Sequence, residues 1–208
     1  GLRAIGGILC TCLVAAAIAP AQVLVTTGHP GRRGGRLVAA QRAEPKTLNP
    51  VTAADSASRE VIRRMMADLI HIDRATHGTV PALATSCTVT NGGRRFTLQL
   101  RRGVRFSDGR PFTAADVVFT FQVYLDEKLR SPQRDLLVVG GKPVTVGSRG
   151  DYTVVLETAA PYAPAERIFD SIAILPRHLL EEPYREGRLD RAWSLDTAPA
   201  AIAGLGPF

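Results

Sequence analysis

FTLQLRRGVRFSDGRPFTAADVVFTF, residues 96–121, places a half-buried strand, a second short strand, a tight turn and a capped helix in one segment. Phe96, Leu98 and Leu100 alternate with Thr97, Gln99 and Arg101, the period of a strand with one face in a core. Val104 and Phe106 repeat the alternation. Ser107-Asp108-Gly109 then reads as a turn, since Asp can bond its own backbone, Gly can take positive φ, and Pro111 stops either strand from running on. Thr113 starts a helix. Its hydroxyl can accept from the Asp116 amide while that carboxylate reaches back, an Asp version of the capping box. Val117, Val118 and Phe121 supply the buried stripe.

Outward from this segment the chain reads as α/β. A helix is expected over residues 56–70, with Asp55 and Ser56 as caps and Val61, Ile62, Met65, Met66 and Leu69 at helical spacing. Short strands are expected over residues 136–139 and 144–146, split by Gly140-Gly141, and a third over residues 152–156. Residues 163–169 and 176–182 suggest short helices. No internal repeat is visible.

The chain has 208 residues, of which 45% are hydrophobic, enough for a core in one domain or two small ones. Residues 5–21 form an apolar, Ala-rich stretch after Arg3, short for a bilayer span and closed by Ala19-Pro20-Ala21, an A-x-A cleavage pattern. Residues 1–21 therefore read as a secretory signal peptide, the alternative being an N-terminal membrane anchor. Cys10 and Cys12 raise lipoprotein processing, against which the apolar stretch before them is too short. Residues 22–34, rich in Gly, Thr and Arg, read as a flexible leader. Removing the signal leaves Cys87 alone, so no intramolecular disulfide can form, and a small buried hydrophobe is a better reading for it than a nucleophile or metal ligand.

The formal charge is +7 and the isoelectric point about 9.9. The arginines are spread as Arg32-Arg33, Arg63-Arg64, Arg94-Arg95 and Arg101-Arg102, with no aromatics interleaved as a base-stacking platform needs. A solvated basic surface follows, suited to an anionic membrane face, and no nucleic-acid partner is expected. Catalytic signatures are missing: there is no P-loop, no G-x-S-x-G elbow, no H-E-x-x-H and no paired C-x-x-C. His71 and His77 have no fixed third ligand and read as surface residues. Asp108 and Asp116 are accounted for by turn and cap. No catalytic constellation survives, so nothing in these residues points to an enzyme, and no cofactor or metal is expected.

The order of residues 96–121 resembles the signature of the family 5 extracellular solute-binding proteins, the oligopeptide and dipeptide receptors of bacterial ABC importers: T-F-x-L-R-x-G-V-x-F-x-D-G-x-P-x-T-A-x-D-V-V-F-x. Other segments are similar to the same family in the same order. They are the opening strand at residues 35–39, Glu44-Pro45-Lys46-Thr47-Leu48-Asn49-Pro50, Val80-Pro81-Ala82-Leu83-Ala84, residues 152–156, Ala160-Pro161-Tyr162, residues 174–180 and Gly204-Leu205-Gly206-Pro207-Phe208. Two departures stand out: Cys87 takes the place of a Trp after Ser86, and Leu205 the place of a Thr.

The resemblance implies a type II periplasmic-binding-protein fold, with residues 35–208 as the N-terminal portion of a two-lobed receptor and the second lobe not included. It implies capture of a peptide or similar small solute between the lobes and its delivery to a membrane permease and ATPase complex from the periplasm. Two alternatives stay open: a truncated, non-binding fragment of such a receptor, or a family member for a nickel complex, haem, sugar or opine. By position, the ligand-facing residues it implies are Thr52, Ala53, Ala54 and Asp55, together with Gln133, which stands where some members carry a Tyr.

Overall fold

The computed structural model describes Val38 and residues 40–73, 75–163 and 165–207. The expected signal peptide, the leader and most of the opening strand lie outside the described residues. The architecture is a four-stranded antiparallel sheet with helices packed on one face, built around the 96–121 segment.

Strand β4 (Arg95–Leu100) is central in that sheet, as its alternation predicts. Phe96, Leu98 and Leu100 are buried while Gln99 is exposed. Three other strands join it: β3 (Ala84–Thr90), β7 (Thr145–Ser148) and β8 (Thr153–Glu157), in the order β3-β4-β8-β7 with every pairing antiparallel. Phe96 faces Leu156 and Leu98 faces Val154 across β4 and β8, so the core face is continuous through the middle of the sheet. On the β3 side a bulge between Ala84 and Ser86 shifts the register, and Cys87 and Val89 then stand opposite Leu98 and Phe96. The predicted strand at Val104 and Phe106 is reduced to a single bridge, Arg105 to Pro111, closed by Phe106 N to Arg110 O at 2.8 Å and Phe112 N to Val104 O at 3.0 Å. Pro111 can donate no ladder hydrogen bond, so the pairing goes no further.

Helix α2 (Ala114–Leu125) lies against the sheet. Thr113 and Asp116 make the capping box, with Asp116 Oδ2 accepting from the Thr113 amide at 2.9 Å and from its hydroxyl at 3.2 Å. The buried surface is wider than a stripe. Ala114, Val117, Phe119, Phe121, Val123 and Tyr124 are all buried, whereas Val118 is only half-buried. A helix covered on most sides belongs inside the domain. The sheet supplies one cover, and α4 (Arg177–Arg185) another, through Phe119 edge-on to Tyr184 at 5.9 Å. Thr120 stitches a third: its hydroxyl donates to Asp116 O at 2.7 Å and accepts from Leu175 N at 2.9 Å, holding the extended segment before α4.

Helix α1 (Ser56–Met65) ends earlier than its apolar spacing suggests. Met66 already has extended φ and ψ, Leu69 is buried outside the helix, and β1 (Ile70–Ile72) pairs with β2 (Thr79–Pro81) in a separate hairpin. Pairing and burial of the next residues override the periodicity. Residues 136–137 likewise belong to a 3₁₀ turn, Arg134–Leu137, and the strands around Gly140-Gly141 are the two-residue β5 (Val138–Val139) and β6 (Lys142–Pro143). Both glycines have positive φ, +62° and +75°, the conformation a two-residue hairpin of this hand requires. Helix α3 (Glu166–Ser171) and α4 fall close to where the sequence puts them.

Candidate functional site

The five positions implied as ligand-facing fall on two separate turns. The first runs from Asn49 into α1. Asn49 is buried, its amide donating to Leu189 O at 2.6 Å and Ala192 O at 3.1 Å while Oδ1 accepts from Val51 N at 2.9 Å. Ala53 N returns to Asn49 O at 3.1 Å, so Val51 and Ala53 point into the core. That geometry leaves Thr52 half-buried and Ala54 exposed. Asp55 caps α1. Its Oδ1 accepts from Ser58 N at 2.8 Å and its Oδ2 from Ser58 Oγ at 2.7 Å. The Ser58 backbone bond, followed by its hydroxyl bond, holds this carboxyl below the usual carboxylate range. The Arg59 guanidinium donates to Ala54 O. What this turn can offer a ligand is therefore the Thr52 hydroxyl and the Ala54 surface.

Gln133 sits before the turn Arg134–Leu137, beyond the C-terminal end of α2. Its Oε1 accepts from Ser131 Oγ at 3.0 Å, and the following Arg134 is tied by Nε to Leu125 O at 3.3 Å. No hydrogen bond or ion pair among the described residues joins Gln133 to Thr52, Ala53, Ala54 or Asp55.

Two further features were not legible in the sequence. A groove of about 350 Å³ opens between the β1–β2 hairpin and β3, with Ile70, Val80, Cys87, Val89, Phe96 and Phe169 among its walls. It arises because the apolar face of β3 runs past the cover that protects β4. Cys87, half-buried and in no disulfide, stands in this wall. The second feature is a cluster of Asp68, His71 and Asp170, whose ligand-type atoms all lie within 4.8 Å of one another. Asp170 Oδ1 accepts from Ile72 N at 3.0 Å and lies 3.4 Å from His71 Nδ1. Burial, and then the charge of Asp170, push the Asp68 carboxyl up to about 7, against the opposing pull of Arg63. Burial, with the Asp68 charge behind it, also raises the Tyr124 hydroxyl. The spacing of His71 and His77 suggested no site, and the partner that matters to His71 is instead Asp170 on α3, distant in sequence.

His178 lies in the first turn of α4 and acts across space. Its Nε2 is 2.5 Å from Asp108 Oδ2, and its ring is edge-on to Phe106 with centroids 5.4 Å apart. Asp108 also accepts from Arg110 N at 3.0 Å, the turn role its sequence predicts.

Comparison with known proteins shows the family and the fold. The profile of the bacterial extracellular solute-binding proteins, family 5 middle region, matches residues 78–208. The oligopeptide-binding protein AppA of Bacillus subtilis is 30% identical over 158 residues, covering 74% of this chain and 28% of that protein. Among solved structures, the ABC transporter substrate-binding protein CtaP of Listeria monocytogenes superposes with a TM-score of 0.64 at 28% identity, over 79% of this chain and 31% of its own. AppA of Bacillus subtilis in complex with a nonapeptide gives 0.65 at 26% identity, over 81% and 32%. This chain thus spans about a third or less of the length of these relatives. The architecture matches type II periplasmic binding proteins over that part. Among the described residues no helix is long and apolar enough to cross a membrane.

Proposed function

Because the chain belongs to the bacterial extracellular solute-binding proteins of family 5, we propose that it forms the first-lobe portion of a receptor that captures a peptide or similar small solute and delivers it to an ABC importer. The observation that carries this reading is the 96–121 segment. Its central strand, turn and doubly braced helix form the rigid part of a lobe of the kind seen in AppA with its bound nonapeptide. In this reading the mechanism is lobe closure: solute is desolvated between two walls, and the closed form is recognised by the permease and its ATPase. Extended peptides are held chiefly through main-chain hydrogen bonds, so side-chain identity matters little.

Thr52, Ala53, Ala54 and Asp55 form one proposed edge of this wall and Gln133 another. The work is divided among them. Ala53 anchors the turn in the core, Asp55 fixes the start of α1, and Thr52 and Ala54 remain at the surface for solute. Binding without chemical conversion is proposed, with the protein exported to the periplasm and residues 1–21 as its signal peptide.

The test is to express the full reading frame that contains this chain, purify the product without denaturation and identify co-purifying material by mass spectrometry. Retained short peptides are the expected result. Recovery of a nickel complex, haem, sugar or opine would replace the peptide assignment within the same receptor class. A product that retains nothing and gives no heat with mixed short peptides would overturn solute capture.

A further inference from the structure

Asp68, His71 and Asp170 come from three places: the link after α1, strand β1 and helix α3. We propose that they form a binding site for one divalent first-row transition metal of the zinc class, on the opposite side of β1 from the groove. This site does not depend on the solute reading above.

Two features support it besides proximity. The first is the ligand set. One imidazole and two carboxylates suit Zn²⁺ and its neighbours, which take N and O donors at about 2.0–2.2 Å, whereas Ca²⁺ and Mg²⁺ prefer all-oxygen shells. Alternation along β1 turns Ile70 toward the groove and leaves His71 exposed on the other side, its Nδ1 already 3.4 Å from Asp170 Oδ1. Asp170 is held from behind by the Ile72 amide at 3.0 Å, the kind of outer bond that orients a ligating carboxylate.

The second feature is a carboxylate without a hydrogen-bond donor of its own. Among the described residues none donates a hydrogen bond to the side chain of Asp68, which is half-buried with its carboxylate within 4.8 Å of the ligand-type atoms of His71 and Asp170. Two carboxylates and an imidazole brought this close from three places in the fold form a donor set that one dication could bridge. Filling the site would clip the β1–β2 hairpin to α3.

The test uses the 208-residue chain and Zn²⁺ alone. Calorimetric titration should show one saturable site. His71→Ala and Asp170→Asn should each weaken it by about ten-fold or more, since losing even an outer partner of a metal site has that effect. His71 is exposed, so its Ala variant keeps the fold, which circular dichroism checks. In the unaltered chain, imidazole nitrogen shifts of His71, and not of His77 or His178, should move on Zn²⁺ addition. Substituted Co²⁺ should show nitrogen and oxygen ligation. Absence of saturable binding, binding indifferent to both substitutions, or a thiolate-to-cobalt band from a cysteine would each overturn the proposal.

Discussion

Asp116 shows how much one side chain carries. It is buried, its Oδ2 caps α2 through Thr113, and its Oδ1 accepts from the Arg177 amide at 3.1 Å, the first residue of α4. Two helix N-termini, each with orphan amides and a positive dipole end, thus converge on one carboxylate. Asp116→Ala should therefore cost more than a single cap, about 2–3 kcal/mol, by removing the cap and leaving buried donors unpaired. Urea unfolding midpoints of variant and parent measure it; a change within about 0.5 kcal/mol would remove the shared-cap account. The first half of this role was legible as Thr113-x-x-Asp116. The second half was not, because nothing local announces that residue 177 will lie there.

The Asp108–His178 pair is of the same kind and makes a pH prediction. Burial raises the Asp108 carboxyl, but the His178 hydrogen bond, the Arg110 amide and the adjacent positive charges outweigh it and hold it below its ordinary value. A lowered carboxyl contributes stability above its unfolded value, about 3.9, and that contribution is lost as pH falls through the folded value. Asp108→Asn should accordingly lower the melting temperature near neutral pH, with the gap from the parent closing as pH falls below the unfolded value and through the folded one. A gap that is constant with pH would show that the loss is one of packing alone.

At the scale of elements, α1 and the Gly204-Leu205-Gly206 segment are matched parts. Gly206 N donates to Met65 O at 2.9 Å, and Ser107 closes the other side, its N donating to Gly204 O at 2.9 Å and its Oγ accepting from Gly204 N at 3.2 Å. The late segment thereby satisfies a carbonyl at the end of α1 and ties it to the turn of the 96–121 segment. So close is the approach that a Cβ on Gly204 would sit 1.8 Å from Met65 O, and one on Gly206 2.4 Å from Arg64 O. Gly206→Ala should destabilise by about 3 kcal/mol, since the obstacle is backbone and cannot rotate away. Hydrogen exchange should show faster opening of the last turn of α1 in that variant. Unchanged protection there would mean the segment is a passive neighbour. The helix itself was legible from Asp55 and the apolar spacing. Its end at Met65 was not, because Met66, Leu69 and Ile70 continue an apolar pattern that tertiary pairing redirects into β1.

For the whole molecule, the proposed receptor reading makes these turns part of one wall of a two-walled site. Thr52 and Ala54 on one turn and Gln133 on another are not bonded to each other, and a solute lying against them would keep its opposite side in water. The 208-residue chain should bind mixed short peptides about a hundred-fold or more weakly than the product of the full reading frame, because half-enclosed sites do not offset the cost of ordering a flexible peptide. Calorimetric titration decides it, and tight stoichiometric binding by the chain alone would sink the two-wall account. Local physics was enough to specify the middle of the protein: the alternation of β4, the Asp108-Gly109 turn and the Thr113 cap each depend on neighbours within a few residues, and the order of those residues identified the family. Tertiary structure alone decided where α1 stops, that Asp116 serves two helices, that β3 leaves a groove beside Cys87, and that Asp68, His71 and Asp170 meet. Each of these depends on which distant backbone or side chain arrives to fill a space, satisfy a donor or share a charge, and no periodicity along the chain encodes that arrival.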